Sequence, residues 1–179
     1  MAERGAMLAP MKTWVLFDWG DTLMRVFPNC AGKMKDWPRV EEVPGARKAL
    51  HALHGRVGIA LATHAADSEE ADIREALERV ALSAFVKPIF CLRAVGAKKN
   101  TPAFFFAHVQ ERLHASPNHL VMVGDDFAED VEAARAAGLW AVWFNPRTPE
   151  NAAGDRYTTI HRLEALPAVL MGWGLLSRE

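Results

Sequence analysis

Six short apolar runs, separated by stretches with helical spacing, constrain this chain more than any other feature. Thr13–Phe17, Val57–Ala62, Val86–Leu92, His119–Val123, Trp140–Phe144 and Tyr157–Ile160 read as strands, the third weakened by Pro88. Between them, Gly45–Leu53, Ser68–Leu82, Pro102–Leu113 and Phe127–Ala137 carry helical spacing, and Arg162–Leu170 reads as a closing helix bent or restarted at Pro167. Phe127, Val131, Ala134 and Ala137 share one helical face, and Gly138 supplies the stop. Thr101-Pro102 reads as an N-cap followed by a first-turn proline. Apolar strands alternating with helices predict an α/β fold: a doubly wound, mainly parallel sheet in three α/β/α layers, with right-handed crossovers.

The chain has 179 residues, close to the roughly 150 expected of one domain. We expect a single domain over residues 12–179 behind a loose leader at 1–11, since Met11 would serve equally well as a start. With 50% hydrophobic and 24% charged residues, the composition excludes disorder, collagen and coiled coil. A formal net charge of −1 gives no global case for nucleic-acid or membrane binding. The longest apolar run, Leu139–Phe144, is far too short to span a bilayer. Cys30 and Cys91 make neither a disulfide framework nor a zinc knuckle, so a reducing, cytoplasmic setting is expected.

One irregular segment stands out, from Met24 to about Val43, with Pro28 and Pro38 inside it. Loops of that length in compact domains are usually functional or mobile. From Met24 to Arg56, Arg25, Lys33, Lys35, Arg39, Arg47, Lys48 and Arg56 outweigh Asp36, Glu41 and Glu42. A basic stretch of this kind either steers an anionic substrate or is simply solvated. Of the tryptophans, Trp19 and Trp37 are the two placed to touch a substrate.

Ligands of a doubly wound sheet bind beyond the carboxyl ends of its strands. The first strand here ends in Asp18-Trp19-Gly20-Asp21-Thr22, the second in Thr63-His64, and the fourth in Gly124-Asp125-Asp126, with Asp130 one turn further on. A lone strand-end Asp is commonly a cap, but coincident polar ends on three strands point to a site. Clustered carboxylates repel unless a cation neutralises them. A hard ion, Mg²⁺ first, suits carboxylates together with a phosphate-bearing substrate. Lys99, beside Lys98, would add a fixed positive charge.

The order and spacing of these residues resemble the haloacid dehalogenase superfamily from about Lys12 to Leu170. That family's first motif, D-x-D-G-T-L, is matched by Asp18-Trp19-Gly20-Asp21-Thr22-Leu23. Its second, a Thr or Ser after an apolar strand, is matched by Thr63 in Ile59-Ala60-Leu61-Ala62-Thr63-His64. Its third, K-P-x-P-x-x-F, resembles Lys99-Asn100-Thr101-Pro102-Ala103-Phe104-Phe105, and its fourth, V-G-D-S-x-x-x-D-x-x-A-A-x-x-A-G, resembles Val123 through Gly138. The resemblance implies a Mg²⁺-dependent phosphohydrolase acting on a phosphorylated small molecule or macromolecular phosphoester. It makes Asp18 the nucleophile that forms an aspartyl-phosphate. Asp18, the Gly20 carbonyl and Asp125 would hold the metal, Thr63 and Lys99 would bind phosphoryl oxygens, and Asp130 would orient Lys99 or a metal-bound water.

Two departures qualify that reading. Where the family's phosphatases carry a second Asp that protonates the leaving group and then activates water, this chain has Gly20. Missing general acid–base catalysis costs about 10²–10⁴-fold. Asp21 or His64 would have to replace it, or the substrate's leaving group needs no proton. A dehalogenase- or phosphonatase-like hydrolase, or a phosphate-binding regulatory module with little turnover, is the competing reading. In addition, the intervals from Asp18 to Thr63 and from Thr63 to Lys99 are too short for an inserted cap domain, so a capless chain is expected.

Overall fold

Successive strand residues point to opposite faces of a sheet, and in this chain both faces are apolar. The computed structural model describes residues 12–63, 65–91 and 108–178. Its strands are β1 (Trp14–Phe17), β2 (Gly58–Thr63), β3 (Ile89–Cys91), β4 (Leu120–Gly124), β5 (Trp140–Phe144) and β6 (Tyr157–Ile160). They form one sheet in the order β3-β2-β1-β4-β5-β6, with every pairing parallel. The helices are α1 (Ala46–Leu53), α2 (Glu70–Arg79), the turn α3 (Glu111–Leu113), α4 (a π-helical Phe127–Glu132 running into α-helical Ala133–Ala136) and α5 (Leu166–Gly172).

Val15, Phe17, Ile59, Leu61, Val121 and Val123 enter one core with Leu50 and Leu53 of α1, Ile73 and Leu77 of α2, and Leu166 and Leu170 of α5. Leu16, Ala60, Ala62, Leu120 and Met122 enter the other with Val131 and Ala134 of α4 and Leu113 of α3. Helices therefore cover both faces, and the doubly wound α/β/α arrangement read from the sequence is the arrangement found. Each core side chain of Val or Leu size withdrawn from water stabilises by about 1.5–3 kcal/mol, so two such cores hold the sheet rigid. No helix among the described residues is long and apolar enough to cross a membrane.

Several boundaries differ from the sequence reading for local reasons. The third strand shrinks to Ile89–Cys91, beginning after Pro88, which has no N–H to donate to a ladder. The second helix starts at Glu70, because Glu69 forms a capping box with Asp72, and it ends at Arg79, just before Ala81 turns left-handed at φ 53°. The stretch expected as one α-helix from Phe127 is π-helical for its first six residues. Gly138 ends it as expected, at φ 80°. The expected loop from Met24 to Val43 is strapped down rather than loose. A short 3₁₀ turn, Met34–Asp36, lies against α2 through an ion pair of Lys33 with Asp72 at 2.7 Å, and Arg79 donates to the carbonyls of Lys35 and Trp37. Of the helix expected over Pro102–Leu113, residues 108–113 are helical, π-helical before α3, and 102–107 lie outside the described residues.

Candidate active site

The strand order reverses direction between β1 and β4, the switch point where open α/β sheets leave a crevice. Phe17 pairs with Val123, and the Asp18 N–H donates to the Val123 carbonyl at 2.9 Å. Asp18 and Asp125 thus leave neighbouring strands side by side. Asp130 joins them from α4. Carboxylate oxygens of Asp18, Asp125 and Asp130 lie within 4.8 Å of one another. Asp18 is 9% exposed and Asp130 1% exposed.

Gly124 makes this convergence possible. A Cβ there would fall 1.9 Å from Asp130 Oδ2, so only a residue without a side chain lets that carboxylate lie against the strand end. Asp130 is held by the Asp126 N–H at 3.1 Å, and Asp126 caps the helix by accepting from the Glu129 N–H at 2.8 Å. The wide π turn at Phe127–Glu132 carries Asp130 on the helix that does this, and such turns are frequent at functional sites.

Burial and the nearby Asp18 carboxylate hold the Asp125 carboxyl above the ordinary carboxylate range, and Asp21 adds to the effect. Arg147, from the loop after β5, opposes it through a hydrogen-bonded ion pair with Asp125. The Thr22 hydroxyl donates to Asp18 Oδ2 at 3.4 Å. A cavity of about 410 Å³ opens over the cluster, lined by Asp18, Gly20, Thr63, Asp125 and Asp130 and walled by Trp19, Met34 and Trp37. Thr63 reaches it from the end of β2, its Oγ1 accepting the Ala65 N–H at 3.2 Å. Main-chain bonds around the turn run from Asp21 N–H to Met24 O and from Met24 N–H to Trp19 O. Three carboxylates this close, with the Thr63 hydroxyl and Gly20 in the same cavity lining, suit a small, hard divalent cation such as Mg²⁺.

Asp18, Gly20, Thr63, Asp125 and Asp130 therefore line one cavity. Asp21 is not with them. It sits at φ 53°, its Oδ1 accepts the Val26 N–H at 3.0 Å, its Oδ2 lies 3.7 Å from Arg147 Nη1, and it lines a neighbouring cavity. His64 and Lys99 lie outside the described residues. Arg147 is the residue that the sequence reading missed. Its signal was its place past the carboxyl end of β5, the same sheet edge as the acids.

A family model described as a haloacid dehalogenase-like hydrolase matches residues 20–138. The chain is 31% identical over 120 residues to a ribulose-1,5-bisphosphate 5-phosphatase from Halopiger xanaduensis, covering 65% of this chain and 48% of that protein. The chain thus spans about half the length of this curated relative. Among solved structures it is similar to an uncharacterized protein from Listeria monocytogenes serotype 4b, with a TM-score of 0.77, 23% identity, and coverage of 90% of this chain and 98% of that one. It is also similar to an HAD phosphatase from Thermococcus onnurineus, with a TM-score of 0.62 and 27% identity over 74% of this chain and 60% of that one.

Proposed function

We infer the activity from family and site together: the chain belongs to the haloacid dehalogenase-like hydrolases, and its carboxylate cluster supports a Mg²⁺-dependent phosphohydrolase. The observation that carries this reading is the meeting of Asp18, Asp125 and Asp130 oxygens within 4.8 Å in one cavity with Thr63. Similarity to two phosphatases supports the substrate class, a phosphorylated small molecule. The buried, fixed geometry supports positioning and charge neutralisation, on which phosphoryl transfer chiefly depends.

Asp18, Asp125 and the Gly20 carbonyl would hold the metal. When bound, it neutralises charge on the phosphoryl oxygens and on the carboxylates themselves. The chain's own residues supply the rest. The Asp18 carboxylate, held by Thr22, attacks phosphorus; its new O–P bond forms as the ester O–P bond breaks and the leaving oxygen keeps the bonding pair. Water then attacks the aspartyl-phosphate, regenerating Asp18 and releasing phosphate. The Thr63 hydroxyl and, in the family's pattern, Lys99 bind phosphoryl oxygens, while Asp130 orients its neighbours.

Gly20 leaves no carboxyl at the place where the family's phosphatases keep their acid. Asp21 is committed to Val26 and Arg147 in the next cavity, which argues against its taking over. The reading that follows is a phosphatase for substrates with good leaving groups, slow on alkyl esters. A phosphatase screen over esters of graded leaving-group pKa, with and without Mg²⁺, tests it. Metal-dependent cleavage that steepens with leaving-group acidity supports it; metal-independent cleavage of haloacids, with no phosphatase activity, would replace it by the dehalogenase-like reading.

A further inference from the structure

Next to the carboxylate cavity lies a larger one, about 690 Å³, within the range that small-molecule sites occupy. The two share Val26 as a common wall, and one side chain ties them together: Arg147 lines the larger cavity while its guanidinium pairs with Asp125 in the smaller. The lining of the larger cavity is half apolar, with Phe144 the one aromatic ring, and its polar half carries Arg25, Arg147 and Arg162 beside Asp21, Glu164 and His161.

Each of the two acids in that lining has a neighbour of its own. Asp21 accepts from the Val26 N–H and faces Arg147. Glu164 packs against Gly45, where an added Cβ would meet its carboxylate at 2.3 Å, which puts the charge at the N-terminus of α1. Two of the arginines, Arg25 and Arg162, are less fully matched. Arg25 shares Glu41 with Arg39, so two cations divide one carboxylate. Among the described residues, no hydrogen bond or ion pair engages the Arg162 side chain, and it is exposed. Arg147 is 61% exposed, with its guanidinium already paired to Asp125 and 3.7 Å from Asp21.

We propose that this cavity is a second anion subsite, in which Arg162, with Arg147 in the same lining, receives a carboxylate or phosphate carried by the same substrate molecule whose phosphoryl group lies over Asp18. The proposal rests on the phosphohydrolase reading and narrows it to phosphomonoesters with a second acidic group a short spacer away. A planar guanidinium suits either oxyanion, since both accept its paired N–H donors. Apolar lining residues beside those donors suit a short carbon spacer between the two anionic ends, aryl or enolic where its oxygen must leave unaided.

Inert probes separate this proposal from the reading beneath it. Binding of 4-phosphonobutyrate and of butylphosphonate is measured by calorimetry in the presence of Mg²⁺, on the wild-type chain and on Arg162→Gln and Arg162→Lys. The expected result is about tenfold tighter binding of 4-phosphonobutyrate by the wild type, consistent with one charge-assisted pair. Arg162→Gln should erase that preference without changing butylphosphonate affinity, and Arg162→Lys should keep part of it. Equal affinities in the wild type overturn the second subsite and leave the phosphohydrolase reading standing. A preference that survives Arg162→Gln overturns the assignment to Arg162. Failure of both probes to bind overturns the phosphoryl site itself, and the subsite with it.

Discussion

At the scale of single residues, Asp18 and Gly20 decide the chemistry. Asp18→Asn removes nucleophile and metal ligand in one isosteric change, so turnover should fall by on the order of 10⁴-fold or more while the far-ultraviolet spectrum stays unchanged. Retained turnover would place the nucleophile elsewhere. Gly20→Asp restores a carboxyl where the family keeps its acid, and should raise alkyl phosphate turnover within the acid–base range of about 10²–10⁴-fold. The structure adds a condition to that test. A Cβ on Gly20 would meet Val26 Cγ2 at 2.9 Å, but Val26 is 44% exposed and can yield, so pairing the change with Val26→Ala should enlarge the gain. Aryl phosphates, which leave unaided, should respond little to either form. Equal wild-type rates on alkyl and aryl esters would instead mean that some other group already supplies the proton.

At the scale of elements, the sequence made the strands legible and the site's origin with them. Apolar runs such as Trp140–Phe144 needed no correction, because a strand buried on both faces writes itself as continuous hydrophobicity. That periodicity also brought Asp18, Thr63 and Asp125 to one edge, since each follows a buried run. What the pattern could not show was the π turn. Phe127, Val131 and Ala134 keep a spacing that suits a regular helix, whereas the folded turn is π-helical and lays Asp130 against Gly124. The strapped loop was illegible for the same reason, as its anchors Asp72 and Arg79 lie on α2, far along the chain. Nor could spacing reveal that Asp21 turns away, which depends on its left-handed backbone and its bond to Val26. Gly124→Ala tests the π turn's purpose. With its Cβ placed 1.9 Å from Asp130 Oδ2, Asp130 must move, at about 1–3 kcal/mol of stability. Mg²⁺ affinity should weaken by about tenfold or more, within the range for lost ligand support; an unchanged affinity in calorimetry would remove Asp130 from the site.

At the scale of the whole molecule, a nearly neutral chain concentrates three acids at one end of its sheet, and stability should record the cost. Asp125 has a folded-state pKa above its ordinary value, chiefly through burial and then through Asp18. A raised carboxyl binds its proton more tightly folded than unfolded, so its ionisation opposes folding. Without metal, stability should therefore decline as pH rises from the ordinary carboxylate range through the elevated pKa of Asp125. Asp72 and Glu41, whose pKa values are lowered by the Glu69 N–H and by Arg25 respectively, slope the other way. The difference between wild type and Asp125→Asn isolates the Asp125 contribution: the variant should gain in melting temperature relative to wild type at neutral pH, and the gain should vanish in acid. Mg²⁺ reverses the sign, because it binds the ionised cluster. At a hundredfold excess over Kd it should stabilise the wild type by about 2.7 kcal/mol, a rise of about 5–10 °C in melting temperature for a chain of this size. That rise should shrink as acid protonates the cluster and be largely lost in Asp125→Asn. A Mg²⁺-induced shift of equal size in the variant would place the cation away from Asp125, and the same pair of melting curves would then show the acids to be a structural knot rather than a metal centre.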